Sequence, residues 1–402
     1  MRLRSRRVVL GSEVVPASIA IEAGKIVDIG PYEVEAAEYP AILPGLVDTH
    51  VHINEPGRTE WEGFETATKA AKAGGITTLV EMPLNSIPST NTVAALELKR
   101  EAAKGKCVVQ TEFWGGLVPG NAHELQALIA AGARGFKSFL TPSGTPDFEY
   151  VTEADLRAAM PYLNGAVLQV HCELPDYLIS EPVGDPNEYA TYLASRPRES
   201  EHEAIALMIR LAREFNARVH IVHLSSADAL PMLRNAPVTV ETCPHYLTFA
   251  AEEIPYAATQ YKCSPPIRER ENRERLWEGL REGIISMIVS DHSPAPPELK
   301  QGNFMTAWGG ISSLQLGLPI VWTEARKRGF TLADVARWMS ANPARLAGFS
   351  EKGAMQIGND ADLVLFDPEE TFTVVGATLH HRHKPTPYEG MILAGRVLEL
   401  SG

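Results

Sequence analysis

Gly45-Leu46-Val47-Asp48-Thr49-His50-Val51-His52 is the stretch whose reading decides the fold. Apolar and β-branched residues run straight into His-x-His, the pattern of a buried strand. Side chains two apart on a strand share a face, so His50 and His52 converge. Two neutral imidazoles at that spacing can share a divalent cation, although a buried histidine on its own is more often simply hydrogen-bonded. Partners further along the chain decide between the two.

Outward from this stretch the chain alternates. Strand patterns at Leu46–His52, Thr77–Met82, Val108–Trp114, Gly135–Phe139, Ala166–His171, Val219–His223, Val238–Cys243 and Ile284–Asp291 are separated by helical patterns such as Trp61–Ala73, Thr92–Lys104, Ala122–Ala131, Thr152–Leu163 and Ser200–Phe215. Thr152 with Asp155 has capping-box spacing, and Gly74 is a candidate for a left-handed helix end. Eight strands alternating with helices predict an α/β protein whose parallel sheet closes as a (β/α)8 TIM barrel over residues 46–345. An open doubly wound sheet is disfavoured, because no Gly-x-Gly-x-x-Gly follows an early strand. Residues 1–45 read as short strands around a turn at Ala23-Gly24-Lys25, and residues 346–402 carry strand patterns at Ala361–Asp367 and Ile392–Leu400. Hairpin signals at both ends predict one small β domain assembled from the two termini.

The 402 residues can bury a large core, and a charged fraction of 22% is that of a globular protein. A net charge of −13 argues against nucleic acid or an anionic membrane as partner. The basic start, Arg2 to Arg7, precedes only Val8-Val9-Leu10, too short for the hydrophobic part of a signal peptide, and no apolar run is of membrane-spanning length. Cys107, Cys172, Cys243 and Cys263 form no Cys-x-x-Cys pair, so free thiols in a reducing cytoplasm are expected.

In a barrel of this kind the chemistry sits at the strands' C-terminal tips. The tips hold His50 and His52 on the first strand, Lys137 on the fourth, His171 on the fifth, His223 on the sixth and Asp291 on the eighth. Each alone has a structural explanation. Together they point to a metal site. Lys137 needs its own argument, because an ammonium has no lone pair. Beside two cations its pKa falls, and the freed amine can add carbon dioxide to give a carbamate with two bridging oxygens.

His50, His52, Lys137, His171, His223 and Asp291, in this order, resemble the amidohydrolase superfamily and its cyclic-amidase branch of dihydroorotases, hydantoinases and allantoinases. The resemblance implies the barrel with a small β-sandwich domain. It also implies two divalent ions, zinc first with cobalt, manganese, nickel or iron as alternatives. His50, His52 and Asp291 would hold one ion and His171 and His223 the other, with N6-carboxylated Lys137 and a hydroxide bridging both. Dihydroorotases place an arginine close behind His-x-His; Ile53-Asn54-Glu55-Pro56-Gly57 has none, which disfavours an anionic ring. Longer stretches resemble the allantoinase group: Asn54 to Phe64, Glu81-Met82-Pro83-Leu84-Asn85, Glu241 to Leu247, Lys262 to Arg268, Ser290-Asp291-His292-Ser293-Pro294, Ala307 to Ser313 and His381 to Tyr388. Ala295 stands where many of that group have cysteine.

The resemblance implies ring opening of the neutral ureide allantoin to allantoate by the bridging hydroxide, with Asp291 as catalytic base and then acid. Ser264, Asn85 and backbone around Ser313 would hold the ring, and a homotetramer is implied. Hydantoinase activity on simpler rings is the alternative, and a non-catalytic scaffold of the same fold the rival of another class. His380, His381 and His383 are expected near the terminal β domain in a structural or subunit-contact role. His245 is expected to pack or to brace a ligand, and alternation turns His292 and Cys172 away from the metals.

Overall fold

The computed structural model describes residues 1–398. Short segments, most of them buried along nearly their whole length, pair in parallel, as strands covered on both sides do. In chain order they are Leu46–Val51, Ile76–Glu81, Gln110–Phe113 with Gly115–Gly116, Gly135–Phe139, Val167–His171, Val219–Ile221, Val238–Thr242 and Met287–Ile288. All these pairings are parallel. The third strand breaks at Trp114, whose backbone N–H reaches Glu81 and whose indole N–H donates to the Thr49 carbonyl at 2.9 Å. Closure comes beyond the eighth strand, where Val51 bridges His292 and the His52 N–H donates to the His292 carbonyl at 2.8 Å. The molecule is therefore a (β/α)8 barrel.

The eighth strand is shorter than the sequence pattern Ile284–Asp291 suggests. Only Met287 and Ile288 pair regularly, and Asp291 then takes a left-handed backbone at φ 44°. His223, just past the sixth strand, does the same at φ 39°. Such conformations are costly for a non-glycine residue and tend to collect where function over-determines the geometry. Helix ends follow the local chemistry: Thr152 and Asp155 form the capping box ahead of Glu153–Ala159. At the end of Phe64–Ala73 it is Gly75, at φ 80°, that is left-handed. Gly74 is required because a Cβ there would stand 2.6 Å from the Leu314 carbonyl oxygen.

Both chain ends share one sheet, in the order Ile392–Leu398, Leu363–Thr373, Ala41–Pro44, Arg2–Leu10, Glu13–Glu22 and Lys25–Gly30, with Ala37–Glu38 beside Arg2–Leu10. The last two residues of the expected strand Ile392–Leu400 lie outside the described residues. Among the described residues no helix is long and apolar enough to cross a membrane.

One ion pair sits inside this framework. Lys99, on the helix Val93–Ala103, places Nζ 2.5 Å from Glu81 and 3.0 Å from the Met82 carbonyl, with both side chains fully buried. The other Glu81 oxygen accepts the N–H of Ile53, directly after His52. Removing one partner of a buried pair strands the other charge and costs about 3–5 kcal/mol. Lys99→Met is accordingly expected to lower unfolding free energy by that amount in urea titration, and adding Glu81→Gln should recover most of the loss.

Candidate metal centre

His50 is positioned from both sides. The carboxylate of Asp48 accepts its backbone N–H at 3.1 Å and, through the other oxygen, the N–H of Ser290 at 3.1 Å, tying the first strand to the segment that carries Asp291. The ring Nδ1 lies 2.5 Å from Glu241, whose other oxygen lies 2.9 Å from His220. A carboxylate only accepts, so Nδ1 carries the proton and Nε2 keeps its lone pair. That nitrogen faces Asp291 at 3.3 Å, and His52 Nε2 is 3.6 Å from the same oxygen. One donor atom from each of His50, His52 and Asp291 lies within 4.8 Å of the others, a set able to hold a cation.

His171 and His223 form a second group. His171 Nδ1 is 3.0 Å from His223 Nε2, while His171 Nε2 donates to Glu173 at 2.7 Å, so the facing Nδ1 is left with its lone pair. Glu173 is held in turn by Arg196 at 2.5 Å, and against the effect of burial that guanidinium keeps its carboxyl down at about 2. The two groups adjoin, with the His50 and His223 ring centroids 5.4 Å apart.

Burial makes these rings good neutral donors. It brings His50 down to about 4, helped by the charge of Lys137, and holds His52 and His223 well below the ordinary histidine value. Lys137 is completely buried on Gly135–Phe139, with its nitrogen 5.2 Å from the Phe139 ring centre and no hydrogen-bond partner. Burial lowers its pKa, and burial raises that of Asp291. A buried ammonium without a partner is the costly form of this side chain. The orphaned nitrogen, the lone pairs turned inward and the carboxylates behind the imidazoles fit a centre for divalent ions with the amine converted to an anion.

The chain matches a family model described as the amidohydrolase family over residues 41–394. The chain belongs to the amidohydrolase family. Members of this family are metal-dependent, in keeping with the His/Asp cluster. An allantoinase of Streptomyces avermitilis is 51% identical, covering 98% of this chain and 92% of that relative. One of Arabidopsis thaliana is 44% identical over 98% and 85%. Among solved structures, an L-hydantoinase (dihydropyrimidinase) from Arthrobacter aurescens superposes with a TM-score of 0.91 at 30% identity, covering 98% of this chain and 93% of that one.

The remaining residues of this amidohydrolase occupy varied places. Ser264 Oγ is 2.8 Å from the Tyr192 hydroxyl. Asn85 accepts from Thr145 at 3.0 Å, joining the loops after the second and fourth strands. Ser313 is already committed: its N–H donates to His292 Nδ1 at 3.2 Å and its hydroxyl to the Ser290 carbonyl at 2.9 Å. Ser312 and Ala295 instead line a cavity of about 350 Å³ with Lys300 and His383.

The histidines of the tail do not sit by the terminal sheet, as expected, but at the barrel rim. Arg382 holds Glu62 through its backbone N–H at 3.1 Å and Nε to the Glu62 carbonyl at 2.6 Å. His381 packs on His292, ring centroids 5.9 Å apart, and His383 reaches the Glu60 carbonyl at 2.8 Å. His292 follows the left-handed Asp291 and places its Nε2 3.4 Å from Glu62.

Glu241, Glu173 and Asp48 are not among the residues singled out by sequence reasoning. The signal that could have found two of them was period two: Glu173 follows His171 by two residues, and Asp48 precedes His50 by two. Partners that orient metal-bound histidines change metal affinity by about 10–100-fold when lost. Glu241→Gln is expected to weaken metal retention by that factor, read as metal per chain after dialysis against graded chelator.

Proposed function

We propose that this chain hydrolyses the five-membered ring of allantoin to the open-chain ureido acid allantoate. The relatives that align along nearly its full length at 44–51% identity are named allantoinases, and this similarity is the observation that carries the reading. The hydantoinase likeness, at 30% identity, supports the class of cyclic amide hydrolase and favours the narrower alternative less.

His50, His52 and Asp291 would hold one divalent ion, His171 and His223 a second, and Lys137, carboxylated on Nζ, would join them; zinc suits this nitrogen and oxygen donor set, as do cobalt, manganese, nickel and iron. Bound there, such ions lower the pKa of water toward about 7 and polarise a carbonyl oxygen. The chain's own groups do the rest. Asp291 takes the proton lost by the attacking water and returns it to the ring nitrogen as the carbon–nitrogen bond breaks. Glu241 and Glu173 keep the imidazoles in the tautomers that face the ions. Ser264, Asn85 and the backbone beside Ser313 would bind the ring's polar edge. With Ser313 already bonded, its neighbour Ser312 at the cavity wall has the freer backbone. A cytoplasmic homotetramer is the setting we infer, from the four free cysteines and the family resemblance.

Turnover of allantoin should exceed that of hydantoin, dihydrouracil and dihydroorotate on one preparation; faster turnover of any of these three would overturn the substrate assignment. Asp291→Asn should lower kcat for allantoin about 10²–10⁴-fold, the range for a lost general acid–base group. Exhaustive chelation should abolish activity, and readdition of a divalent ion with bicarbonate should restore it.

A further inference from the structure

Two residues beyond Glu241, Cys243 sits where the strand Val238–Thr242 gives way to the short helix Pro244–Thr248. It is fully buried, and so is His245 on that helix. One donor atom from each of Cys243, His245 and Asp291 lies within 4.8 Å of the others. A second observation concerns His245 alone: both ring nitrogens are buried without a hydrogen-bond partner, and the nearest ring contact is Tyr246 at 4.2 Å between centroids. Leaving a buried polar group unpaired costs about 1–3 kcal/mol. A packing role explains the ring's volume but leaves its nitrogens unsatisfied.

We infer that Cys243, His245 and Asp291 form a third, inhibitory site for a thiophilic divalent cation, distinct from the pair of sites proposed for catalysis. Thiolate and imidazole select zinc or cobalt over magnesium or calcium, and three protein donors leave the fourth tetrahedral position to water. Donors on such an ion stand about 3.5 Å apart given metal–ligand bonds of about 2.0–2.3 Å. The three side chains, whose donors lie within 4.8 Å of one another, therefore need to close in by at most about 1.3 Å. On binding, the Cys243 thiol releases its proton to solvent and the sulfur bonds the ion, with no change in oxidation state. The consequence comes from sharing: Asp291 also belongs to the His50 and His52 group, so an ion held by Cys243 draws away the carboxylate needed for proton transfer. Excess soft metal should then inhibit the enzyme that a limiting amount activates.

The test uses the full chain loaded with two zinc ions and titrated with cobalt(II). A thiolate-to-cobalt charge-transfer band in the near ultraviolet should grow with a third equivalent while turnover falls in parallel. Cys243→Ala, Cys243→Ser and His245→Gln should lose the band, keep turnover at limiting metal and tolerate at least about tenfold more cobalt, the factor that one lost ligand interaction of about 1.4 kcal/mol gives. Cys172→Ala should behave as wild type. Because the band reports sulfur directly, it separates this site from the identity of the substrate. No band at any loading, a band that survives in Cys243→Ala, or equal inhibition of all variants would overturn the proposal.

Discussion

A lysine nitrogen sealed inside a barrel with nothing to bond is the constraint on which the centre depends. Lys137 is carried by Gly135–Phe139, a strand paired on both sides, so its backbone is fixed where the side chain is fully buried. The nearby carboxylates of Glu241 and Asp291 offset part of its charge, yet neither makes a hydrogen bond to it, and burial dominates. On this account carbon dioxide resolves the conflict by turning an unwanted cation into an anion of use to two ions. Burial keeps the surrounding imidazoles neutral, and the Lys137 charge adds to that effect at His50 and His223.

Around that nitrogen the protein spends its carboxylates on orientation. Glu241 spans His50 and His220, Glu173 links His171 to Arg196, and Asp48 ties His50 to Ser290. Each fixes a lone pair or a backbone segment before any ion arrives, which limits the reorganisation left for binding. The rim is fixed in the same way. Glu62 collects the C-terminal tail through Arg382 and faces His292, which in turn accepts the N–H of Ser313, so the tail braces the loop expected to face the substrate.

The barrel was legible because strand patterns alternate with helical ones along the chain and the strands begin near where the pattern changes; Gly135–Phe139 coincides with its sequence reading. The ends were less so. Asp291 and His223 leave the strand in left-handed conformations, which no alternation rule describes, although it was their place past a strand tip that drew attention to them. The tail was misplaced because its attachment is tertiary: nothing local in His381-Arg382-His383 announces Glu62, some 320 positions earlier. Residues that hold donors in place, such as Glu241, were harder to see than the donors, since a lone glutamate in a strand has many ordinary explanations. Cys243 read only as one of four free thiols and His245 as a packing or bracing residue; their proximity to Asp291 and the absence of partners for the His245 ring set them apart.

The chemical state of Lys137 is where the proposed centre is tested most directly. Metal-loaded protein equilibrated with ¹³C-bicarbonate should show one carbamate carbon resonance per chain, lost when Lys137 is replaced by methionine and lost when the metal is removed. A fully active preparation holding two ions per chain without that resonance would contradict it.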